Sequence, residues 1–487
     1  MNISITPGKF TNTWESLQQF ECPQWFKNAK FGVWAHWGGQ CVPEGGGGWY
    51  ARDMYIQGSR DYKYHLKHYG HPSQVGYKDI VERWKAENFD PDALMAMYRD
   101  MGAKFFVTIG VHHDNVDLWD STYNRWNTVR HGPHMDIVGE WKRACGRYGM
   151  RFGVSEHLER AYSWFSTNKG ADKRGKYKGV PYDGNDKRYE ELYLDGSTQD
   201  TGFGYPANPS DRFVENFYLR IKELVEKYNP DFLYTDGGVP FGAVGRAMIA
   251  NFYNHNMACH GGKLEGVYAV KNIDRTLHPY HGAYRDGIGV LDLEREMMDA
   301  PRADVWETDT CIGNWFYEKG VKYKTSDTVI QQLVDVVSKN GIYLLSIPLK
   351  ADGTIDNREK KIVDGIGRWF QINGEAIYDT EPYVLFGEGP MASKASGKKL
   401  TSLKCTRRDI RFTQKGNCVY AFCLKAHGGM IRIHSLAPER ERIKDVRVLG
   451  CGSCKWQFTD DCLEIRYHPT LELCSQAVHA VKITFKT

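Results

Sequence analysis

A regular alternation of short apolar runs and longer amphipathic stretches, from about residue 25 to residue 350, most constrains how this chain can fold. The short runs are rich in β-branched and aromatic residues, which is typical of strands. Strands that alternate with helices pair in parallel through right-handed crossovers. The predicted strands are 31–36, 104–110, 151–156, 231–235, 266–270, 303–307 and 341–347. The predicted helices are 91–101, 134–148, 212–228, 243–254 and 326–338.

These seven strands predict an α/β fold in which a (β/α)8-type barrel, complete or imperfect, closes with an eighth strand from an irregular segment. After about residue 375 the pattern changes to short alternating runs separated by turns, which predicts a small antiparallel β-sandwich. These runs are 410–413, 418–424, 430–434, 446–449, 462–467 and 478–485. We therefore expect a barrel domain over 1–375 and a β-sandwich domain over 376–487, a division that the length of 487 residues also favours.

Two stretches are expected to lie outside this regular pattern. The four glycines at 45–48 predict a flexible or tightly turning loop, since glycine adopts positive φ without steric cost. The segment 168–206 is rich in Lys, Asp, Gly and Tyr without periodicity, and we expect a long loop over the barrel mouth.

Composition excludes several classes of protein. The net charge of +4 is small for this length and argues against a nucleic-acid partner. No stretch is apolar enough to insert into a membrane, and the first residues lack the pattern of a signal peptide. The compartment stays open, because a signal peptide removed from a periplasmic or secreted protein would leave no trace. The 12 scattered cysteines are expected to be reduced thiols, and the high aromatic content of 13% suits a carbohydrate-binding surface.

Polar residues follow most of the predicted barrel strands. In a parallel barrel the carboxyl ends of the strands share one open face, so we expect these residues to converge on one site. They are His36; His112, His113 and Asp114; Glu156 and His157; Asp236; Asn272, Asp274 and Arg275; and Glu307.

Several carboxylates and histidines among aromatic residues suit glycoside hydrolysis, which needs one carboxylate to attack or activate water and another to protonate the leaving oxygen. Asp236 is the expected nucleophile, because it follows an apolar strand and precedes two glycines that allow close approach. A metallohydrolase is the main alternative, but the adjacent histidines lack the HxH or HExxH spacing of strand or helix metal ligands. Neither a GxSxG motif nor a phosphate-binding loop is present. We therefore expect neither a metal ion nor a cofactor.

Seven segments, in order, resemble α-L-fucosidases of glycoside hydrolase family 29. They are WFKNAKFGVWAHWG (25–38), WYARDMY (49–55), HHDNVDLWDS (112–121), GVSEHLERAYSWF (153–165), FLYTDGG (232–238), WETDTCIGNWFY (306–317) and LLSIPLKADGTID (344–356). The resemblance implies an enzyme that removes terminal α-L-fucose from an oligosaccharide or polysaccharide by double displacement with retention of configuration. The oligomeric state is left open.

The resemblance also implies roles for individual residues. Asp236 matches the nucleophile, Arg275 an arginine that steadies it, and Trp315 an aromatic residue beside the C5 substituent of the sugar. The remaining substrate-binding matches are His36, Trp49, His112, His113 and His157. The acid/base lies in a variable segment of the family; here Glu294 is the closest match and Glu296 the alternative. If Glu294 is the acid, its pKa should be raised towards neutrality, whereas Glu307 is expected to be a structural hydrogen-bond acceptor.

One position departs from the family pattern. The residue before Trp49 is usually acidic, and here it is Gly48. A roomier, more basic pocket would suit L-galactose, which is L-fucose with a hydroxyl at C6. The alternative function is therefore an exo-α-L-galactosidase acting on the L-galactose of algal galactans, with or without 6-sulfate. A second alternative is a carbohydrate-binding relative without catalytic activity.

Overall fold

Eight parallel strands close into a barrel in the order β1 to β8. The computed structural model describes residues 3–195, 205–272, 284–393, 399–426 and 428–486. The barrel strands are β1 Phe31–Ala35, β2 Phe105–Val111, β3 Arg151–Glu156, β4 Phe232–Thr235, β5 Val267–Lys271, β6 Val290–Asp292, β7 Trp306–Cys311 and β8 Gly341–Ser346. Closure comes from the pairing of β1 with β8, from Phe31 opposite Tyr343 to Trp34 opposite Ser346. The predicted barrel is confirmed.

Two barrel strands differ from the sequence prediction. The strand that the sequence did not predict is β6, which has only three residues, too few to give a periodic signal. Strand β7 runs to Cys311 rather than ending at Glu307. Glu307 therefore lies near the start of β7, inside the barrel wall, and the prediction that it ends a strand was wrong.

Helices follow the barrel strands at nearly the predicted places. The longer ones are Arg60–His68, Tyr77–Arg83, Pro91–Asp100, Ile137–Tyr148, Asp211–Tyr228, Ala243–Cys259, Ser326–Ser338 and Asn357–Asn373. Short α-helical turns are Trp14–Leu17, Gln24–Ala29, Tyr50–Asp53, Ala161–Trp164, Glu190–Tyr193, Pro390–Ser393 and Leu471–Cys474. The 3-10 turns are Gly39–Cys41, Gly47–Trp49, Phe165–Lys169, Asp183–Asn185, Lys187–Tyr189, Gly374–Ala376, Leu400–Ser402 and Ala437–Arg442.

The C-terminal region contains two antiparallel sheets. One has the strand order β13-β16-β11-β10-β9 and the other β12-β15-β14. The strands are β9 Glu381–Glu388, β10 Ile410–Lys415, β11 Cys418–Cys423, β12 Met430–Ile433, β13 Ile443–Val448, β14 Cys454–Phe458, β15 Leu463–Tyr467 and β16 His479–Phe485. Side chains of both sheets share one apolar cluster that includes Phe412, Ile433, Ile465 and Ile483. The predicted antiparallel region is present, and the domain boundary at 375/376 remains a prediction.

A buried ion pair connects the barrel to the C-terminal sheets. Arg411 of β10 donates from Nε to Oδ1 of Asp335 at 2.7 Å, and both side chains are fully buried. Lys339 pairs with the other carboxylate oxygen at 2.7 Å. Removing one partner of such a group leaves a buried charge uncompensated, so this ion pair disfavours separation of the barrel from the C-terminal sheets.

The described part of the chain contains eleven cysteines, all free thiols, as the sequence predicted. Within the same residues, no helix is long and apolar enough to cross a membrane.

Candidate active site

A small cavity opens where the carboxyl ends of the barrel strands converge. Its volume is about 150 Å³, well below the roughly 300–1,000 Å³ of pockets for drug-sized ligands. The cavity therefore has room for little more than one sugar ring. The lining residues are Trp34, His36, Gly48, Trp49, His112, His113, His157, Arg160, Tyr234, Asp236, Lys271, Glu294, Asp309 and Trp315.

Eight of the predicted site residues lie together in this lining: Asp236, Glu294, His36, Trp49, His112, His113, His157 and Trp315. Glu296, the alternative acid/base, does not line the cavity; its backbone carbonyl instead accepts a hydrogen bond from Thr308 at 2.8 Å. Arg275 lies outside the described residues.

Asp236 follows β4 directly and is surrounded by cationic and imidazole groups. Lys271 Nζ donates to Asp236 Oδ1 at 2.6 Å. His113 Nε2 and His157 Nδ1 both lie 3.3 Å from Oδ2. Burial by itself would raise the pKa of Asp236, but Lys271 and the two histidines outweigh it and hold the pKa well below its usual value. Asp236 is therefore ionised over the whole physiological range of pH.

Glu294 is joined to Asp236 through the same lysine. It lies two residues beyond β6, and Lys271 Nζ donates to its Oε2 at 2.7 Å. Lys271 is the main cause that lowers the pKa of Glu294, against the opposing effect of burial. The expectation of a raised pKa for Glu294 was wrong, because it did not include a cation between the two carboxylates.

The protonation of His112 is fixed by Gln40. The backbone N–H of Ala51 donates to Gln40 Oε1 at 3.3 Å, which turns the amide nitrogen of Gln40 towards His112 Nδ1 at 3.0 Å. Nδ1 must then be the acceptor, so neutral His112 carries its hydrogen on Nε2. Burial lowers the pKa of His112 well below its usual value, which keeps the ring neutral.

The histidines form a tight group within the cavity. His113 Nδ1 donates to the backbone carbonyl of His157 at 2.6 Å, and His36 Nδ1 pairs with Ser346 Oγ at 2.9 Å. In the described chain, His112, His113 and His157 present nitrogen atoms within 4.8 Å of one another, as zinc ligands would. Two of these rings, those of His113 and His157, also face Asp236.

Aromatic rings form another part of the cavity lining. Trp34 stacks at a tilt on His36, with ring centroids 4.3 Å apart, and Trp315 lies 4.9 Å from His36. Trp49 is partly exposed at the rim. Apolar ring faces beside hydrogen-bonding groups are what a sugar ring requires, since its C–H faces are apolar and its edge carries hydroxyl groups.

The loop before Trp49 turns tightly. Gly47 has φ +55°, and a Cβ atom added to Gly48 would lie 2.9 Å from Phe316 Cδ2. The ring of Phe316 thus occupies the space beside Gly48. The glycine allows close approach of a large ring, so the hypothesis of a roomier pocket receives no support at this position.

Comparison with known proteins shows the family of this chain. A family model described as Alpha-L-fucosidase matches residues 1–375. The chain belongs to the α-L-fucosidase family, glycoside hydrolase family 29. It is therefore a glycoside hydrolase.

Individual members of the α-L-fucosidase family match over most of their length. The tissue α-L-fucosidases of Mus musculus and Homo sapiens are both 26% identical to this chain; the matches cover 95% and 93% of it and 90% and 87% of those proteins. The crystal structure of Thermotoga maritima α-fucosidase in complex with fucose is 25% identical, covers 98% of this chain and 100% of that one, and has a TM-score of 0.73.

Sequence reasoning missed Lys271, Arg160, Asp309, Trp34 and Tyr234. Lys271 is the last residue of β5; it directly follows the predicted strand 266–270, but the polar residues considered there began at Asn272. Arg160 and Asp309 stand within two of the segments that resemble the family, so closer attention to their charge would have found them. Because the predicted strand ended at Glu307, Glu307 was taken as its polar end and Asp309 was not considered, although β7 continues to Cys311.

Burial raises the pKa of three acidic residues at and behind the cavity, Asp292, Glu307 and Asp309. Asp309 and Asp292 lie on neighbouring strands, and the Tyr234 hydroxyl donates to Asp292 at 3.0 Å. Burial first, and then Lys271 and the neighbouring carboxylates, set the pKa of Asp292 at about 8. Burial also raises the pKa of Glu307, whose carboxyl oxygens have no hydrogen-bond partner among the described residues. The expectation that Glu307 is a hydrogen-bond acceptor therefore finds no support there.

Proposed function

We propose that this enzyme removes terminal α-L-fucose from glycans by double displacement with retention, with Asp236 as nucleophile and Glu294 as acid/base. The main support is that one lysine nitrogen bonds both carboxylates. Their oxygens Asp236 Oδ1 and Glu294 Oε2 are therefore separated by at most about 5.3 Å, which is shorter than the roughly 6.5–9.5 Å of inverting glycosidases and so favours retention.

The reaction proceeds in two displacements. Asp236 attacks the anomeric carbon while Glu294 gives its proton to the departing glycosidic oxygen, so that the C–O bond breaks and a fucosyl-enzyme ester forms. Glu294, now ionised, takes a proton from water, and this water attacks the anomeric carbon and releases Asp236. The depressed pKa of Asp236 keeps the nucleophile ready for the first step.

Binding of the sugar follows from the lining of the cavity. The volume for about one ring supports exo action. His112 presents an Nε2 hydrogen as a donor, and His36 is a further hydroxyl partner. Trp315 offers its ring to the apolar C5 methyl group of fucose. Arg275 is proposed to steady Asp236 by resemblance alone.

The alternatives receive less support. A fucoside is favoured over an L-galactoside because Phe316, rather than open space, adjoins Gly48. A purely binding relative would not need two carboxylates on a common cation at the strand ends.

A direct comparison of aryl glycosides tests this function. We expect turnover of 4-nitrophenyl α-L-fucoside. NMR should show α-L-fucose as the first-formed product, before mutarotation produces the β anomer. Preference for the α-L-galactoside, or first-formed β-L-fucose, would contradict the proposal.

Variants at the two acid/base candidates make the test specific. Glu294→Ala should slow the cleavage of substrates with poor leaving groups most. Added azide should restore the rate for activated substrates, because azide replaces the water that needs a base. Glu296→Ala is the matched control and should retain activity, since Glu296 does not line the cavity. The reverse result would transfer the acid/base role to Glu296.

A further inference from the structure

Lys271 occupies the space that the reaction itself requires. Its ammonium nitrogen lies 2.6 Å from Asp236 Oδ1 and 2.7 Å from Glu294 Oε2. In a retaining glycosidase the reacting C–O bond lies between these two carboxyl groups, one reaching the anomeric carbon and the other the glycosidic oxygen. The lysine and the reacting bond cannot occupy one gap together, so a productive complex requires the ammonium group to leave Glu294.

A second acceptor for the lysine lies within the same cavity. Asp309 lines the cavity with Lys271, and its Oδ1 atom is buried without a hydrogen-bond partner among the described residues. Burial and Asp292 raise the pKa of Asp309, whereas Lys271 lowers it, so the approach of the ammonium group favours the ionised carboxylate as its acceptor. A buried carboxyl oxygen without a partner is costly, and an ammonium group that moves towards it relieves this cost.

We propose, on the basis of the proposed function, that Lys271 is a displaceable counter-ion. It bridges Asp236 and Glu294, and the entering glycoside moves it away from Glu294 towards Asp309. Lys271 is thus a positioning residue that acts through Glu294. It keeps both carboxylates in place without substrate and frees the acid/base when the glycosidic oxygen arrives.

The movement changes the proton affinity of Glu294 at the time when a proton is needed. Lys271 favours ionised Glu294 while it bonds this carboxylate, and its departure favours the protonated acid. Asp236 raises the pKa of Glu294, whereas Arg295, like Lys271, lowers it. The other groups that act on the lysine are Asp236, Asp292 and Asp309.

The pH dependence of turnover tests this movement in the unmodified enzyme. The profile of kcat/KM reports the free enzyme and that of kcat reports the complex. Glu294 must be protonated to act, so activity falls as the pH rises past its pKa. For a fucosyl disaccharide, whose leaving group needs a proton, we expect the basic limb of kcat at least one pH unit above that of kcat/KM. Coincident limbs would overturn the proposal.

Substitution of the lysine provides the second arm. In Lys271→Met, the basic limb of kcat/KM should move up by at least one pH unit and meet that of kcat, whereas Lys271→Arg should keep part of the separation. A general structural defect would lower the rate at every pH without moving either limb. If the kcat/KM limb of folded Lys271→Met stays in place, the proposal is wrong.

Two controls separate this proposal from the proposed function. A 2,4-dinitrophenyl α-L-fucoside needs no proton on its leaving group, so its kcat/KM should lack the lysine-dependent basic limb. Asp309→Asn, which weakens the second acceptor, should bring the basic limbs of kcat and kcat/KM for the disaccharide closer together in pH. Failure of the wild type to cleave either fucoside would reject the proposed function, whereas cleavage with coincident limbs rejects only the displaceable lysine.

Discussion

The α-carbon of Gly48 lies so close to the ring of Phe316 that an added Cβ atom would come within 2.9 Å of Phe316 Cδ2. That ring is 1% exposed and packs edge-on against His112, with centroids 4.9 Å apart. A change at Gly48 is therefore transmitted to a residue of the sugar-binding wall.

We expect Gly48→Ala to lower kcat/KM for an aryl fucoside at least fivefold, because overpacking costs about 1–3 kcal/mol and displaces Phe316 against His112. Steady-state kinetics with a thermal melt measure both effects. Gly45→Ala is the matched control, since its Cβ atom would meet nothing nearer than 3.5 Å. Equal kinetics for the two variants would show that the contact of Gly48 with Phe316 is unimportant.

The hydrogen bond from Gln40 to His112 provides a test of the tautomer. In Gln40→Leu the Nε2 hydrogen of His112 is no longer enforced, and we expect kcat/KM to fall about 2- to 13-fold, as loss of about 0.5–1.5 kcal/mol implies. In Gln40→Glu a carboxylate faces Nδ1 and reverses the neutral tautomer. Protonation restores the Nε2 hydrogen, so the defect of Gln40→Glu should shrink as the pH falls. A defect independent of pH would contradict the assigned tautomer.

Glu156 gives a prediction for stability. Burial raises its pKa to about 8, whereas an unfolded glutamate titrates near about 4.3. The folded state therefore binds the extra proton between these values, and the stability contributed by Glu156 is lost as the pH rises through this window. Glu156→Gln removes this titration. The free energy of unfolding of the variant minus that of the wild type should therefore increase by about 1.4 kcal/mol for each pH unit within this window.

Urea unfolding at pH 5, 6 and 7 (values chosen within about 4.3–8) measures this gain. The exposed residue Glu87 provides the control variant Glu87→Gln, which should follow the wild type at each pH. A constant difference between Glu156→Gln and the wild type would mean that Glu156 does not titrate with folding.

The sequence predicted the barrel well because its helices and most of its strands are long enough to show a period. The helix Ser326–Ser338 has the predicted bounds. Strand β6 has three residues, and β9 is an edge strand with an irregular pattern of exposure, so neither carries an apolar alternation. Their places depend on pairing with distant strands, which local pattern does not contain.

The site was predicted where polar residues follow a strand and missed where they end or interrupt one. His36, His112 and Asp236 stand just beyond their strands, where the sequence shows a clear change from apolar to polar. Lys271 ends β5 and Asp309 lies within β7. The bridge from Lys271 to Glu294 joins two strands, and the lowered pKa of Glu294 depends on that distance rather than on any local motif.

Trapping of the glycosyl-enzyme tests the central claim most directly. A 2-deoxy-2-fluoro-L-fucosyl fluoride has a good leaving group and a fluorine that slows both displacements, so the covalent intermediate accumulates. Digestion and mass spectrometry then locate the sugar. We predict one 2-fluorofucosyl group per chain, as an ester on Asp236, and no label in Asp236→Ala. A label on another carboxylate, or turnover of fucosides without any trapped ester, would contradict the assignment of Asp236 as the nucleophile.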